Sequence, residues 1–479
     1  MAGTFLILRI WRNMDSYIKV SEDSLYINIE NDVSNGNPAP DIQEFLNKIE
    51  NKNVTVGVIG LGYSGLQIAT ALASSGISVT GIEFDREKVK KINRGVSYIE
   101  NVSSETLGKL VETDRLYAVH DMAVLSELDV VIISDQIPSR HPLNKDISFM
   151  MALMEKIIAS LEKPQLIIID TVMVPGTTRD VLYPLFVEQK KSVNADFFLA
   201  VAPERTDPGN KKMSVSMIPR VVAGITKESR ILASALLQHV TKQTVQVSSP
   251  LAAEMVKFFE NSYRWVNSAL VNEMMMMCNK LGISVWEVMH AVKSNPFDYF
   301  RYLPSPGYGV TSQYNEEPFE LFWKKALSGL RYDILGKAID INTYITRDFI
   351  VDMISELLND QKKCLNGANI LIVGIANKKD VGEWNESSAV EIIKVLINKK
   401  VNVYYHDPLI SHVTIGKGHD TLSSIALNAE MLAWVDLTVI LMDHSDINFE
   451  TIVEHAPLIL DTKNVTHGIK GDKKNIKVI

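Results

Sequence analysis

The sequence predicts an α/β fold in which two Rossmann-like, doubly wound parallel sheets are joined by a helical domain. Short apolar runs alternate with helical stretches over residues 51–248, and the same alternation returns over 363–479. Between them, Leu251 to Leu281 has apolar residues at helical spacing and no glycine or proline. Such alternation is typical of a parallel sheet covered by helices on both faces, and an unbroken periodic segment indicates one long helix.

The composition is that of a globular protein with several domains. A chain of 479 residues with 46% hydrophobic content can bury two or three cores. The net charge of −8 comes from interspersed acids and bases, so no surface for a nucleic acid or an anionic membrane is predicted. Cys278 and Cys364 are too few for a disulfide framework or a zinc site, which favours a reducing cytoplasm and no metal.

The first fifty residues carry no recognisable targeting signal. The opening apolar run is interrupted by Arg9 and lacks both a basic n-region and a small-residue cleavage site. No later apolar stretch approaches the length of about twenty residues that a transmembrane helix needs. Residues 1–50 are therefore predicted to be a polar N-terminal extension, and the protein is predicted to have no membrane partner and a cytoplasmic location.

The first α/β domain is predicted over residues 51–248. The segment from Val54 to Asp85 contains a β-branched apolar run, a glycine turn, a helix and a second apolar run, which is the order of a βαβ unit. Further apolar runs that predict strands are LDVVIISD, QLIIIDTV, DFFLAVAPE and RVVAGI. Helical stretches separate them, so these strands are expected to join one sheet.

A glycine-rich turn connects the first predicted strand to its helix and indicates a dinucleotide site. Glycines in a G-x-G-x-x-G pattern permit a tight turn and let backbone N–H groups approach a pyrophosphate at the helix N-terminus. Glu83 ends the second strand, where its carboxylate can accept both ribose hydroxyls and repel a 2′-phosphate, which favours NAD over NADP. The predicted cofactor-binding residues are Gly60, Gly62, Tyr63, Ser64, Gly65 and Glu83. The alternative is a turn that merely closes a strand–helix junction.

The helical domain is predicted over 249–362 and the second α/β domain over 363–479. Four consecutive methionines, Met274 to Met277, lie in the long helix and are interpreted as core packing. The strands of the last domain are predicted at ANILIVGIANKKD, VNVYYHDP, DLTVILMD and APLILDTKN.

Several motifs resemble the UDP-glucose/GDP-mannose dehydrogenase family over about 54–470. The segment GLGYSGLQIA is similar to the family's G-x-G-Y-V-G-L-P-x-A, and TVMVPGTT is similar to its S-T-V-x-P-G-T-T. The segment APERTDPGN resembles the N-acetylated-sugar branch, of the UDP-N-acetylglucosamine 6-dehydrogenase type. The resemblance implies NAD as cofactor, a UDP-sugar substrate held by the last domain, a role in polysaccharide precursor synthesis, and a homodimer formed through the helical dimerisation domain.

The resemblance also implies the residues of the reacting site. Lys257 and Asn261 match a catalytic lysine and asparagine of the family and lie four apart, so one helix face presents both. An ammonium and an amide can hold an oxyanion or orient a water while hydride leaves. Without the resemblance, a surface lysine and a helix-packing asparagine would be the simpler interpretation. The predicted catalytic residues are Lys257, Asn261, Thr171 and Glu204, and the predicted substrate-binding residues are Phe297, Gly309 and Lys378.

The cysteine of the family's P-G-x-G-G-H-C-I-P motif is missing. Counting forward from the Pro-Gly pair at 306–307 places Ser312 at the cysteine, and counting back from Pro318 places Gln313 there. The thiolate normally attacks the aldehyde formed by the first hydride transfer, giving a thiohemiacetal and then a thioester. Neither serine nor glutamine replaces it readily. Three interpretations follow: a dehydrogenase with an altered or lost second oxidation, an impaired paralogue with a binding or regulatory role, or a redirected NAD-dependent sugar-nucleotide enzyme.

Overall fold

The structure is a computed structural model that forms two compact units. Of the residues it describes, those up to Phe258 belong to one unit and those from Phe259 onward to the other. The described residues are 42–99, 101–134, 139–141, 144–145, 147–206, 214–297, 303–307, 333–384, 387–415, 421–470 and 474–479. Gly309, Ser312 and Gln313 lie outside them. Within these ranges no helix is both long and apolar enough to cross a membrane.

The first unit contains an eight-stranded sheet and a short hairpin. The strands are β1 (Thr55–Ile59), β2 (Ser78–Ile82), β3 (Leu116–Val119), β4 (Val130–Ile133), the hairpin β5 (Ser139–His141) and β6 (Asn144–Lys145), β7 (Gln165–Ile169), β8 (Phe197–Val201), β9 (Arg220–Gly224) and β10 (Thr244–Gln246). The sheet order is β10-β9-β8-β7-β4-β1-β2-β3. Six of these strands, β3-β2-β1-β4-β7-β8, have the Rossmann order, with the reversal between β1 and β4.

Helices cover this sheet, and three of them begin at a polar capping residue. They are α1 (Ile42–Glu50), α2 (Tyr63–Ser75), α3 (Arg86–Asn93), α4 (Ser104–Glu112), α5 (Ile147–Ala159), α6 (Tyr183–Glu188) and α7 (Lys227–Leu237). Short 3₁₀ turns occupy Ala123–Glu127 and Val215–Met217, and a π turn, Thr178–Leu182, precedes α6. Asp85, Ser103 and Thr226 accept backbone N–H bonds at the starts of α3, α4 and α7. Such caps satisfy donors that the helix itself cannot.

The helix α1 belongs to the core of the first unit. Phe45 and Ile49 are buried among the residues that pack on one face of the sheet. The Phe45 ring meets the Phe198 ring edge-on, with 5.9 Å between centroids. On the opposite side of α1 the chain is polar, which is the pattern of a helix that buries one stripe.

The long helix α8 (Pro250–Leu281) is continuous, as predicted from its lack of internal glycine and proline. Pro250 is its first residue, where the missing N–H costs nothing. Met275 is buried, but Met274 and Met277 are exposed. The expectation that the four methionines pack in the core is therefore wrong for these two, because a run of consecutive residues on a helix necessarily reaches every face.

The second unit has helices beside a five-stranded parallel sheet. The helices are α9 (Val285–Lys293), α10 (Asp333–Asp340), a π turn (Ile341–Ile345), α11 (Thr346–Asp360), α12 (Ser388–Asn398), α13 (Ala429–Trp434) and α14 (Phe449–His455). The strands are β11 (Asn369–Val373), β12 (Asn402–His406), the pair β13 (His412–Thr414) and β14 (Thr421–Ser423), β15 (Leu437–Ile440), β16 (Ile459–Asp461) and β17 (Ile476–Val478). The sheet order, β12-β11-β15-β16-β17, reverses between β11 and β15.

The predicted α/β class with Rossmann-like parallel sheets is confirmed. One strand of the first sheet departs from the parallel pattern, because β9 runs antiparallel to β8. The following strand β10 is parallel to β9, and α7 forms the crossover between them. No periodicity in a short apolar run encodes its direction, so the sequence could not predict this reversal.

Candidate functional site

The glycine turn follows β1 and requires glycine at two positions. Gly60 has φ of 82°, a left-handed conformation that residues with a Cβ rarely adopt. A Cβ built on Gly65 would lie 1.9 Å from the Gly60 carbonyl oxygen, so only glycine lets α2 pack this closely on the turn. A Cβ on Gly62 would meet nothing within 4 Å. The position that a side chain at residue 62 would occupy is therefore open.

The N-terminus of α2 differs from those of the neighbouring helices. Its capping residue is Gly62, which offers no side-chain acceptor, whereas α3, α4 and α7 have capping side chains. A helix N-terminus carries partial positive charge and outward-pointing N–H groups. Because no side chain covers it, the first turn of α2 is able to receive an anion such as a diphosphate.

Glu83 is fixed beside this turn by the backbone. Its carboxylate accepts from the N–H groups of Leu61 and Asp85, each at 3.0 Å. Each oxygen keeps a second lone pair for a ribose hydroxyl. The Tyr98 hydroxyl donates to the Leu61 carbonyl at 2.5 Å. Burial, and then the charges of Glu83 and Asp85, raise the pKa of Tyr98 above its ordinary value, so this hydroxyl stays protonated and holds the turn.

Lys257 and Glu204 form a pair in the first unit. Lys257 lies on α8 and is only 4% exposed, and its Nζ is 3.8 Å from Glu204 Oε2. The other oxygen of Glu204 accepts from the backbone N–H and hydroxyl of Thr206. Because a buried ammonium needs a partner, the carboxylate stabilises a cation at this position.

Thr171 lies two residues after the end of β7. Its N–H and Oγ1 both bond to the Ile133 carbonyl, at 3.1 and 3.2 Å. The N–H of Glu204 donates to the carbonyl of Asp170, the residue that precedes Thr171. The ends of β7 and β8 therefore hold Thr171 and Glu204 near each other, as expected for residues that follow neighbouring strands.

Asn261 lies one helical turn after Lys257 on α8, in the second unit. The side chain is 1% exposed, and neither its amide nitrogen nor its amide oxygen has a hydrogen-bond partner among the residues that the structure describes. A buried amide without partners is costly, so it is a candidate for binding a polar ligand or water.

Sequence reasoning missed Glu254, which lies one helical turn before Lys257. This buried carboxylate accepts from the Gly176 N–H at 2.6 Å, from the Thr178 N–H at 3.0 Å and from the Thr178 hydroxyl at 2.6 Å. Burial raises the pKa of Glu254 to about 7, although these hydrogen bonds oppose the shift. Glu254 thus fastens the Pro-Gly-Thr-Thr turn to α8. Its partners are far away in the sequence, so it looked like an ordinary helix carboxylate.

In the second unit, loops that follow β11 and β15 meet where the strand order reverses. Lys379 pairs with Asp443 at 3.2 Å. The N–H of Asp380 donates to His444 Nδ1 at 2.9 Å. Lys378, the predicted substrate-binding residue, is half-buried at the start of this contact. In open α/β sheets ligands bind at such a reversal, so the placement of Lys378 fits a binding role.

A buried carboxylate supports the same loops. Asp407 follows β12, and its Oδ2 lies 3.3 Å from Nε2 of the buried His444. Burial pushes the pKa of Asp407 up, but the nearby His444 and hydrogen bonds from the backbone N–H groups of Ile375 and Leu409 bring it below its ordinary value. Asp407 therefore stays ionised and ties three strand ends together.

The remaining predicted residues are less informative. Phe297 lies in the loop that follows α9 and is 60% exposed, so within its own unit it does not line a buried pocket. Gly309 lies outside the described residues.

Three segments of the chain match the domains of one family in order. Residues 54–244 match the NAD binding domain of the UDP-glucose/GDP-mannose dehydrogenase family, 251–344 its central domain and 371–468 its UDP binding domain. The chain belongs to this family. The predicted resemblance and the predicted NAD cofactor are thereby confirmed, and the UDP binding domain supports a UDP-sugar as substrate.

Members of the UDP-glucose/GDP-mannose dehydrogenase family are similar to this chain along most of its length. A UDP-N-acetyl-D-mannosamine dehydrogenase from Pyrococcus horikoshii is 29% identical over 426 residues, which cover 86% of this chain and 95% of the relative. A UDP-N-acetyl-D-glucosamine 6-dehydrogenase from Pseudomonas aeruginosa is 25% identical over 367 residues, covering 75% and 84%. The solved structure of a UDP-D-ManNAc dehydrogenase from Pyrococcus horikoshii superposes with a TM-score of 0.77 at 25% identity, covering 88% of this chain and 98% of that one.

The glycine turn fits the NAD of this family, and two matched substitutions separate folding from binding. Gly65→Ala should lower the free energy of unfolding by about 1–3 kcal/mol, because its methyl group meets the Gly60 carbonyl. Gly62→Ala should lower stability less than Gly65→Ala does, because its methyl group meets no other atom, but it should weaken NAD binding about tenfold, because that methyl group fills the space through which a pyrophosphate approaches. Thermal denaturation and calorimetry measure the two effects. Equal effects of both substitutions would contradict this assignment.

Glu83 should make the site select NAD over NADP. The unmodified protein is expected to bind NAD at least about tenfold more tightly, since the carboxylate opposes the charge of a 2′-phosphate. Calorimetry should show that Glu83→Gln narrows this difference. The control is Glu87→Gln, since Glu87 is an exposed carboxylate on α3 that pairs with Lys90. Equal or tighter binding of NADP by the unmodified protein would rule out this role of Glu83.

Proposed function

We propose that this chain is an NAD-dependent dehydrogenase that oxidises the 6-hydroxyl of a UDP-N-acetylhexosamine, and that its second oxidation step is altered or lost. The observation that carries the proposal is the pair formed by the buried Lys257 and the half-buried Glu204, in the unit that contains the NAD-binding turn and Thr171. The similarity to UDP-N-acetyl-D-mannosamine and UDP-N-acetyl-D-glucosamine dehydrogenases supports the N-acetylated sugar.

Each of these residues has a separate role in the proposed first oxidation. Bound NAD supplies the acceptor for the hydride that leaves carbon 6 of the sugar. The Lys257 ammonium stabilises the negative charge that develops on the sugar oxygen, and Glu204 keeps that ammonium in place. On the basis of the family resemblance we also propose a catalytic role for Asn261, whose buried amide has no hydrogen-bond partner among the residues that the structure describes. Thr171, fixed on the Ile133 carbonyl, bounds this site.

Recognition of the nucleotide is assigned to the second unit. Lys378, at the reversal between β11 and β15, is proposed to pair with a phosphate of UDP. Phe297 and Gly309 are proposed to contact the substrate on the basis of the family resemblance. A cytoplasmic location is proposed on the basis of composition.

Because the family's catalytic cysteine is missing, we propose that the second oxidation is altered or lost. The same observation supports a second candidate function, that of an impaired paralogue that only binds its ligands. Neither remaining cysteine is a ready substitute. Cys278 is buried in an apolar cluster with Met275 and Met289, and Cys364 precedes β11. A nucleophile needs a thiolate and access to the aldehyde, and a buried apolar cluster provides neither.

A substrate panel tests the function. The purified chain is incubated with NAD and, separately, with UDP-N-acetylglucosamine, UDP-N-acetylmannosamine and UDP-glucose, while NADH absorbance is recorded and products are analysed by mass spectrometry. We expect NADH with an N-acetylated sugar and less with UDP-glucose. Binding of NAD and UDP-sugar without any NADH would instead establish the impaired paralogue.

We also propose a homodimer formed through α8. Six large apolar residues are exposed along the part of this helix that lies in the second unit: Phe259, Tyr263, Leu270, Met274, Met277 and Leu281. They recur at intervals of four, seven, four, three and four residues, which places them in one stripe. The stripe extends about 33 Å at 1.5 Å per residue. A second copy of the same helix, packed antiparallel, is the occupant that such a self-complementary stripe fits.

Sedimentation velocity tests the dimer. Leu270→Glu should shift the protein to monomer at micromolar concentration, because it places a charge in the centre of the stripe. The control is Val288→Glu, an equivalent change at an exposed apolar residue of α9. A monomeric unmodified protein, or an equal effect of the control, would argue against this interface.

A further inference from the structure

A buried carboxylate that the proposed chemistry does not use lies directly behind the glycine turn. Asp170 follows β7, and its Oδ2 accepts from the Ser134 hydroxyl at 2.6 Å and from the Ser64 hydroxyl at 3.2 Å. Ser134 follows β4, the strand paired with β7, while Ser64 is the second residue of α2. Asp170 therefore connects the first turn of α2 to the ends of the two strands on which the cofactor site is built.

Asp170 also neutralises a buried cation. Arg220, the first residue of β9, donates to Asp170 Oδ1 and to the Ala202 carbonyl. Both charged side chains are 1% exposed, and no other carboxylate in the described part of the chain lies within ion-pair distance of Arg220. Removing one partner of such a pair leaves an uncompensated charge in a region that screens it poorly.

The strand order places this pair on a particular half of the cofactor site. Glu83 follows β2 and Asp170 follows β7, and these strands lie on opposite sides of β1. In a Rossmann sheet the dinucleotide spans the reversal of strand order, and the acid after the second strand takes the adenosine ribose. The half that contains Asp170, Ser134 and Ser64 is therefore the half for the nicotinamide.

We propose that Asp170 is a positioning residue that orients Ser64 and, by balancing Arg220, keeps the nicotinamide half electrically neutral so that it accepts the oxidised cofactor. The nicotinamide ring is cationic in NAD⁺ and neutral in NADH. An unbalanced Arg220 therefore disfavours NAD⁺ more than NADH, whereas an unbalanced Asp170 does the opposite. This inference rests on the NAD-binding role of the first unit.

The test compares the dissociation constants of NAD⁺ and NADH by calorimetry in the full chain, with melting temperature as the measure of folding. Asp170→Asn should weaken NAD⁺ relative to NADH by on the order of tenfold, the effect of one charge at about 10 Å with an effective dielectric constant of about 20. Arg220→Gln should shift the ratio in the opposite direction. The double variant, Asp170→Asn with Arg220→Gln, should restore the ratio even if both affinities fall.

A matched control lies at the opposite end of β4. Asp129 precedes that strand and pairs with Lys163 at 2.7 Å, so Asp129→Asn removes a comparable charge far from the strand ends that form the site. It should leave the ratio unchanged. A purely structural Asp170 would change both affinities equally in every variant, and that result would overturn the proposal. If the unmodified protein bound neither NAD⁺ nor NADH, the assignment of an NAD site to the first unit would be wrong. If one single variant fails to fold, the other still tests the sign of the shift, and the double variant tests its reversal.

Discussion

The unmodified protein, incubated with NAD and an N-acetylated UDP-hexose, should release one NADH per sugar consumed and accumulate an aldehyde or its hydrate rather than a uronic acid. The first hydride transfer needs only the cofactor turn and the Lys257–Glu204 pair, and both are present. The second needs a covalent adduct that a thiol forms and then releases as a thioester. General acid–base catalysis of attack by water accelerates a reaction by about 10²–10⁴-fold, which we do not expect to match the covalent route. The second step should therefore be at least about 10²-fold slower than the first.

The number of NADH formed per sugar, measured in the unmodified protein and in three variants, tests this expectation. NADH is counted by absorbance against sugar consumed, and the product is identified by mass spectrometry. Ser312→Cys and Gln313→Cys test the two alignments of the missing cysteine. Cys278→Ser is the control, and it should leave the number of NADH formed per sugar unchanged. Two NADH and a uronic acid from the unmodified protein would show that another residue replaces the thiol.

Replacement of Lys257 should strongly slow hydride transfer while leaving the cofactor bound. Lys257→Met keeps the volume of the buried side chain but removes the ammonium that stabilises the developing oxyanion, a loss of about 10²–10³-fold in kcat. The variant also leaves Glu204 without its cation. The control is Lys280→Met, which changes an exposed lysine near the end of the same helix.

Two measurements separate catalysis from folding for this variant. The rate of pre-steady-state NADH formation should fall by about 10²–10³-fold, and calorimetry should still detect NAD binding within a few-fold of the unmodified protein. Unchanged turnover in Lys257→Met would remove the lysine from the reacting site. Loss of both activity and NAD binding would instead indicate that the Lys257–Glu204 pair supports the fold of the first unit.

The sequence predicted those parts of the fold and site that depend on local patterns. The turn at Gly60 to Gly65 is set by backbone conformation and close approach, which glycine spacing reveals directly. The strands β1, β4 and β7 are short apolar runs that are buried on both faces, and their composition shows this. Glu83 was found because the end of the second strand is a fixed distance along a βαβ unit.

The remainder of the site depends on pairs that are distant in the sequence. Asp170 and Arg220 are 50 positions apart, and Glu254 bonds to a turn that lies 76 to 78 positions earlier. Nothing in the neighbourhood of either acid shows that it is buried. Asp170 follows an apolar run, as acids at many strand ends do, and Glu254 resembles an ordinary carboxylate within a helix. Only the antiparallel entry of β9 brings Arg220 to the end of β7, and short apolar runs do not encode strand direction.

The packing of α1 determines where this protein can be trimmed. A chain begun at the predicted domain boundary of residue 51 would lack Phe45 and Ile49, and the ring of Phe198 would lose its edge-on neighbour. His239, whose Nε2 lies 3.1 Å from the Ile49 carbonyl, would lose that acceptor. Each missing apolar side chain is worth about 1.5–3 kcal/mol of burial. A shortened form for crystallisation should therefore start ahead of Ile42. The helix α1 then still covers the apolar face of the sheet, whose exposure would promote aggregation.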